Sequence, residues 1–250
     1  MSLFRKTTAP APVPVPAGQG PAISLDKIPS GLVDLTKKAA ISLEKSGLTG
    51  QRAAVYLVVD RSYSMASFYR DGSVQLLAEQ ALGLSANLDD DGIVPLVMFD
   101  SAPYAAAEIR LDNYTGQVAN WHQLNGGEAT MKGTQYAPAM AAVVDHYQRS
   151  GAPDPAFVVF QTDGDPQDRD VTERMLREVS GLPIFWSFLG YGNNINFLKK
   201  LDGLKGRRVD NASFFHARNP HAVSDGELYD GLTHEYASWL ASAAAVGIVR

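Results

Sequence analysis

The sequence of 250 residues contains no cysteine. This absence excludes disulfide bonds, thiolate zinc sites and cysteine nucleophiles, and it suits a reducing compartment. The sequence also has no run of eighteen apolar residues, and its apolar stretch near the C-terminus, ASAAAVGIV, is too short to cross a bilayer. We therefore expect no membrane span and predict a soluble, cytoplasmic protein.

An excess of charge of one sign is absent as well. Lysine and arginine total 22 against 27 aspartates and glutamates, and the net charge of −5 is mixed along the chain. Without a basic stripe, nucleic acid is not expected as the main partner. The N-terminus, MSLFRKTTAPAPVPVPAGQG, has two basic residues but no apolar segment behind them, which argues against a secretory signal peptide.

Apolar residues make up 45% of the chain, enough for a sizeable core. We predict three parts: a disordered Pro/Ala-rich tail over 1–22, an N-terminal helical extension over 23–49, and one α/β domain over 50–250. In the extension, apolar residues near helical spacing predict a helix that Ser30 caps and Gly47 ends.

From residue 53 onward, apolar strands alternate with helical patterns. This alternation predicts a doubly wound, mainly parallel central sheet with helices on both faces. Ligands of such sheets bind beyond the carboxyl ends of the strands. The predicted strands are 53–59, 93–99, 104–111, 156–162, 182–190 and 212–217, and the predicted helices are 73–88, 134–148, 169–180, 196–201 and 224–246.

Oxygen-bearing side chains stand at three of these strand ends and loops. Asp60, Ser62 and Ser64 follow the first strand in VVDRSYSMAS, and their spacing places them on one side of an extended segment. Asp163 follows another strand in T-D-G, and Thr134 lies near the end of the glycine-rich loop GGEATMKGTQ (126–135), which leads into a helix. Five oxygen ligands without nitrogen or sulfur are typical of a hard cation, with Mg²⁺ favoured and Ca²⁺ or Mn²⁺ as alternatives.

Each of these signals is weak when it stands alone. Taken alone, Ser62 and Ser64 favour turn or helix-capping chemistry over metal binding, and Asp-Gly is a common turn. Thr130, four residues before Thr134, is an alternative helix cap, but Gly133 and the periodic helix favour Thr134. The metal-site hypothesis depends on their coincidence at the predicted edge of one sheet.

Other polar groups have simpler interpretations. Asp165, Asp168 and Asp170 crowd the loop after Asp163 and predict a hydrated loop and a helix start, where acids suit the helix dipole. The five histidines are scattered without ligand spacing. The glycine-rich stretch 190–197 lacks G-x-G-x-x-G and a phosphate-binding lysine, so it gives little support to nucleotide binding.

The D-x-S-x-S pattern, the later threonine before a helix and T-D-G together resemble the von Willebrand factor type A (vWA) family over roughly residues 50–246. The resemblance implies a metal-ion-dependent adhesion site (MIDAS) formed by Asp60, Ser62, Ser64, Thr134 and Asp163. The segments ISLEKSGLTG, NFLKKLDGL and VDNASFF are similar to the bacterial tellurite-resistance-associated branch. One departure is Tyr63, where the family usually has glycine, so the loop must adopt a conformation open to ordinary residues.

The resemblance implies a protein-binding module whose metal ion accepts a carboxylate of a protein partner, in a bacterial stress or tellurite-resistance system. A metal-dependent hydrolase of phosphate or acyl groups is the alternative, and it would need a general base near the metal. His122 and Lys132 keep that alternative open, but no catalytic constellation or G-x-S-x-G elbow is present, so we expect no enzyme.

We expect deletion of residues 1–22 to leave the melting temperature nearly unchanged, because a segment of this composition cannot bury a core. Thermal unfolding of the full and shortened chains, followed by circular dichroism, checks this. A large fall in melting temperature would mean that the tail packs against the domain.

Overall fold

A single six-stranded sheet lies at the centre of the protein, in a computed structural model that describes residues 20–249. The strand order is β3-β2-β1-β4-β5-β6, and every neighbouring pair is parallel except β2 with β3. The strands are β1 (Ala54–Asp60), β2 (Ile93–Phe99), β3 (Ala107–Arg110), β4 (Ala156–Thr162), β5 (Ile184–Tyr191) and β6 (Ala212–Ala217).

The central strands are apolar along almost their whole length because both faces of the sheet are covered. In the register, Leu57 of β1 pairs with Leu96 of β2 on one side and with Val159 of β4 on the other. The strand order therefore reverses at β1, and the carboxyl ends of β1 and β4 flank the crevice where doubly wound sheets bind ligands.

Helices cover both faces. Side chains of α1, α3, α8 and α9 belong to one apolar core, and those of α5, α6 and α7 belong to the other. The predicted doubly wound α/β fold is confirmed. The helices are α1 (Val33–Lys45), α2 (Ala66–Arg70), α3 (Ser73–Leu88), α4 (Gln117–Leu124), α5 (Tyr136–Ser150), α6 (Arg169–Glu178), α7 (Asn196–Asp202), α8 (Asp225–Thr233) and α9 (Tyr236–Ala245).

Several predicted boundaries were wrong. The strand expected over 104–111 is only the four-residue β3, and the closing helix expected over 224–246 is two helices, α8 and α9. After the break, Tyr236 and Trp239 both pack on Phe185, with ring centroids 5.4 and 5.5 Å apart from it. These tertiary contacts set the direction of the last helix, and a periodicity pattern does not reveal them.

Two helices, α2 and α4, were not predicted from the sequence. Helix α2 has only five residues, and α4 buries only Val118 and His122, so neither carries a long apolar stripe. Gly116 precedes α4 in the left-handed region, with φ of 69°. The C-terminal end of helix α4 lies beside the loop after β1, where Arg61 contacts the carbonyls of His122 and Asn125.

The chain before β1 packs on the domain. Within the described residues, the Ala22 N–H donates to the Asn87 carbonyl, and Ile23 is buried. Residues 1–19 lie outside the described residues, so the predicted tail falls almost entirely there, and the boundary at residue 50 stays a prediction. None of the helices in residues 20–249 is long and apolar enough to cross a membrane.

Helix α1 approaches α3 closely at Gly83. A Cβ atom at this position would lie 2.8 Å from Cβ of Leu35 and 2.9 Å from the Tyr229 hydroxyl. Only glycine allows this approach without moving α1, because part of the obstruction is the backbone of Leu35 itself.

We expect Gly83→Ala to destabilise the protein by about 1–3 kcal/mol, since overpacking between α1 and α3 outweighs the better helix propensity of alanine. Gly226→Ala in α8 is the matched control, because its Cβ would meet nothing within 4 Å. That change should stabilise by at most about 1 kcal/mol. Urea unfolding of both variants checks the pair, and equal effects would contradict the packing argument.

Candidate metal site

Asp60 is the last residue of β1, and its side chain is fully buried. One carboxylate oxygen accepts the Ser62 backbone N–H at 2.6 Å, and the other accepts the Thr162 hydroxyl at 2.5 Å. Burial raises the pKa of Asp60 to about 7, although the hydrogen bonds from Thr162 and Ser62 oppose this rise. In residues 20–249 no lysine, arginine or histidine forms an ion pair with it.

Ser62, Ser64 and Asp163 form a hydrogen-bonded chain. The Ser64 hydroxyl donates to Oδ1 of Asp163 at 2.7 Å and lies 3.2 Å from the Ser62 hydroxyl. Because Ser64 has a single proton and gives it to Asp163, Ser62 must donate to Ser64. The backbone is extended only as far as Ser62 and then enters a 3₁₀ turn over Tyr63–Met65, so this turn, and not the expected extended segment, brings Ser64 to Asp163.

Thr134 lies on a loop that backbone contacts join to the other two. Lys132 pairs with Ser62 as a parallel bridge, and its carbonyl accepts the Tyr63 N–H at 3.1 Å. On the other side, the Thr134 carbonyl accepts the Gln167 N–H at 2.9 Å. Within residues 20–249 the Thr134 hydroxyl has no hydrogen-bond partner, and its side chain is almost buried. A hydroxyl oxygen in this position is available to coordinate a cation.

The predicted helix cap was wrong. Helix α5 starts two residues after Thr134, and Gln135 occupies its N-cap position without a side-chain cap. The Asp168 carboxylate instead accepts the N–H groups of the first two helical residues, at 3.0 and 2.9 Å. Thr130 lies in a separate 3₁₀ turn and is not a cap of α5 either.

Acidic side chains of the loop after β4 bind the starts of neighbouring helices. Besides Asp168 on α5, Asp165 accepts the N–H of Phe197 at the start of α7 at 2.9 Å, and it pairs with Arg169. The expectation of a hydrated loop was therefore wrong for these two side chains. The sequence shows both acids close to the start of a helix. The helices that they cap are different ones, however, with the bonded residues 31 positions from Asp168 and 32 positions from Asp165 along the chain.

The sequence-predicted residues thus meet at one edge of the sheet. Direct hydrogen bonds link Ser62 with Asp60 and, through Ser64, with Asp163, whereas Thr134 is joined through its backbone. Thr162 was missed by the sequence analysis, although it belongs to the T-D-G motif. In residues 20–249 no cluster of three or more His, Cys, Asp or Glu side chains could hold a metal. A donor set of two carboxylates and three hydroxyls is still appropriate for a hard cation, and the unpaired buried Asp60 fits one.

Tyr63 projects from the turn between Ser62 and Ser64, and its side chain is 74% exposed. All positive φ values in residues 20–249 belong to glycine, so Tyr63 adopts an ordinary conformation. The loop therefore accommodates tyrosine where the family usually has glycine, and the aromatic ring stands at the rim of the candidate site.

His122 is buried and committed to a structural contact. Its Nδ1 accepts a hydrogen bond from Nε of Arg61 at 3.2 Å, and its ring stacks on Tyr69 with centroids 4.4 Å apart. Burial, followed by the charge of Arg61, lowers the pKa of His122. A histidine held in this way is a poor general base for the site.

Comparisons with known proteins identify the family and the fold of the chain. A family model described as "vWA found in TerF C terminus" matches residues 52–249. YcbR of Bacillus subtilis (strain 168), an uncharacterized protein, is 35% identical over 221 residues, which cover 87% of this chain and 90% of YcbR.

Solved structures show the same fold at low identity. The SpRpn10 VWA domain has a TM-score of 0.52 at 11% identity, over 70% of this chain and 97% of that one. A von Willebrand factor type A protein from Catenulispora acidiphila has a TM-score of 0.51 at 15% identity, over 74% of this chain and 42% of that one. The chain thus spans less than half of the Catenulispora protein, and the likeness concerns the fold alone.

We expect one divalent cation to bind per chain and the Asp60→Ala, Asp163→Ala double variant to lose that binding, since both carboxylates of the donor set are removed. Calorimetric titration with Mg²⁺ checks this. Asp170→Asn is the matched control, because this acid lies on the same segment but is exposed at the start of α6. Equal Mg²⁺ binding in the wild type and the double variant would refute the site.

Proposed function

The chain belongs to the von Willebrand factor type A family, in its TerF-like branch, and from this we propose that it is a metal-dependent protein-binding module. Asp60, Ser62, Ser64, Thr134 and Asp163 would hold a divalent ion, through which the module would bind an acidic group of a protein partner. The observation that carries the proposal is the union of two carboxylates and three hydroxyls from three loops at the switch point of the sheet.

The donor chemistry supports Mg²⁺ as the resident ion, with Mn²⁺ or Ca²⁺ as alternatives. When bound, the ion supplies an electrophilic position for an outside oxygen. The protein's own residues do the rest: Thr162 and the Ser62 N–H orient the Asp60 carboxylate, and Ser64 orients Asp163. Two carboxylates would offset the charge of a divalent ion, and the other three donors are neutral hydroxyls, which would leave the ion electrophilic toward an added carboxylate.

The rim of the site supports an acidic partner. Lys132 is exposed beside Ser62, and no ion pair or side-chain hydrogen bond in residues 20–249 occupies its ammonium group. Tyr63 stands on the opposite strand of this bridge and offers an exposed aromatic face. A partner segment with a carboxylate for the ion, a second acid for Lys132 and an apolar group for Tyr63 fits this rim.

Catalysis has less support than binding. Hydrolysis would need a general base within reach of an activated water, yet His122 is buried and its Nδ1 is occupied by Arg61. Lys132 contacts the site loop through its backbone, and its side chain is exposed to solvent. We therefore propose a binding module and not an enzyme.

We extend the proposal to a bacterial chemical-stress or tellurite-resistance system in the cytoplasm. Two features support this setting: the matching family model takes its name from TerF, and the sequence has no cysteine to be oxidised. Neither feature identifies the partner. If the partner binds only in the presence of the metal ion, that dependence can be used to find it.

We expect partner capture from the source cell to require both Mg²⁺ and Asp60, because the partner's carboxylate binds through the ion. Pull-downs with wild-type and Asp60→Ala protein, each with Mg²⁺ or a chelator, check this, with Asp170→Asn as the matched control bait. Circular dichroism verifies folding, which should survive chelation because the ligands lie on loops outside the apolar core. A partner retained in chelator by folded protein would contradict the adaptor role.

A further inference from the structure

Arg61 lies between two of the predicted metal ligands but points away from them. Its side chain is fully buried, and its backbone N–H donates to the Phe99 carbonyl at 2.6 Å. Along an extended backbone, successive side chains point to opposite sides, so Asp60 and Ser62 face the site while Arg61 faces the segment behind it. Burying a guanidinium is costly unless its donors are satisfied.

The partners of Arg61 belong mainly to one nine-residue segment, 122–130. The two N–H groups of its Nη2 are shared among three acceptors, the carbonyls of Asn125 at 3.0 Å and Gly127 at 2.6 Å and the Thr130 hydroxyl at 2.8 Å. Its Nε donates to Nδ1 of His122 at 3.2 Å. The planar fork of arginine can reach these acceptors together, which a lysine ammonium cannot do.

The remaining nitrogen of the guanidinium contacts the loop after β2. Nη1 donates to the Tyr104 hydroxyl at 2.5 Å, and this hydroxyl in turn donates to the Asp100 carboxylate. The carboxylate itself lies 3.9 Å from Nη1. Asp100 also accepts, through its carbonyl, the N–H of Gln135 at 2.9 Å. Arg61 therefore contacts elements on both sides of the Thr134 loop.

The segment 122–130 leads directly to the candidate site. Two residues beyond Thr130, Lys132 pairs with Ser62, and Thr134 follows. A second contact runs the same way: Tyr69 stacks on His122 and donates its hydroxyl to the Asp60 carbonyl at 3.1 Å. The end of β1 and the segment that carries Thr134 are thus joined through the buried Arg61 side chain and, separately, through Tyr69.

We propose that Arg61 is a positioning residue of the metal site. It fixes segment 122–130 against the end of β1 and thereby sets where the Thr134 hydroxyl lies relative to Asp60 and Ser62. The inference rests on the proposed metal site and goes beyond it, because Arg61 contacts no ligand atom of that site and acts through the Thr134 loop.

The test is a double-mutant cycle between Arg61→Lys and Thr134→Ala, with Mn²⁺ affinity measured by titration and electron paramagnetic resonance. Arg61→Lys keeps the charge but loses the fork, and it should weaken Mn²⁺ binding about tenfold. If Arg61 acts through Thr134, the same change in the Thr134→Ala background should cost at most about twofold. A general loss of stability would not produce this coupling.

Two further variants keep the test decisive. Thr130→Val removes one acceptor of Arg61 and leaves the arginine in place, so it serves if Arg61→Lys fails to fold; it should weaken Mn²⁺ binding about threefold, again only when Thr134 is present. Leu43→Ala is the control for stability, since this buried side chain lies in α1. Its melting temperature should fall, but its Mn²⁺ affinity should equal that of the wild type.

The outcomes separate this inference from the function on which it rests. Equal Mn²⁺ affinity in folded Arg61→Lys and wild type, or fully additive losses in the cycle, would overturn the role of Arg61 alone. Equally weak Mn²⁺ binding in the wild type and Asp60→Ala would overturn the metal site, and this inference with it. Coupled losses together with an unaffected Leu43→Ala variant would support the positioning role.

Discussion

Asp60, at the end of β1, is a buried carboxylate without a counter-charge. The arrangement of side chains at this edge of the sheet depends on it. Its two oxygens each accept one hydrogen bond, from the Ser62 N–H and the Thr162 hydroxyl, and in the described part of the chain it has no cationic partner. Burial of such a group is unfavourable, and its raised pKa expresses this cost. A hard cation is the simplest group that would offset it, and the hydroxyls nearby are suitable companions in its coordination.

Backbone contacts join the Thr134 loop to both of its neighbouring loops. Lys132 joins the Thr134 loop to the Ser62 loop, and Gln167 joins it to the loop after β4. Asp168 caps α5 from the same loop. Because these contacts do not use the predicted ligand hydroxyls, the donor set can be ordered before an ion arrives. An ordered site loses less conformational entropy on binding, which favours affinity.

The segment before β1 is part of the same structure. The family model matches only from residue 52, but α1 packs its apolar side chains into the core that α3 and α8 share. The close approach at Gly83 shows how tightly α1 is fitted. The core on this face of the sheet therefore includes a helix outside the matched region, whereas the candidate site lies at the carboxyl edge of the sheet.

The pattern of amino acids was enough to predict the α/β class, five of the six strands to within about two residues, and the positions of Asp60, Ser62, Ser64 and Asp163 at or just after strand ends. These could be predicted because apolar strands have a local signature and the carboxyl ends of parallel strands must meet at one edge. Whether these residues bind a metal stays a prediction.

The hydrogen-bond partners of those residues follow only from the tertiary structure. The acceptor carbonyl of Asn125 is 64 residues from Arg61, and Thr162 is 102 residues from Asp60. The break between α8 and α9 likewise follows from where Phe185 lies. The residue pattern of one segment cannot predict such contacts. The energy of a buried polar group depends on its hydrogen-bond partners, and only folding brings those partners within reach.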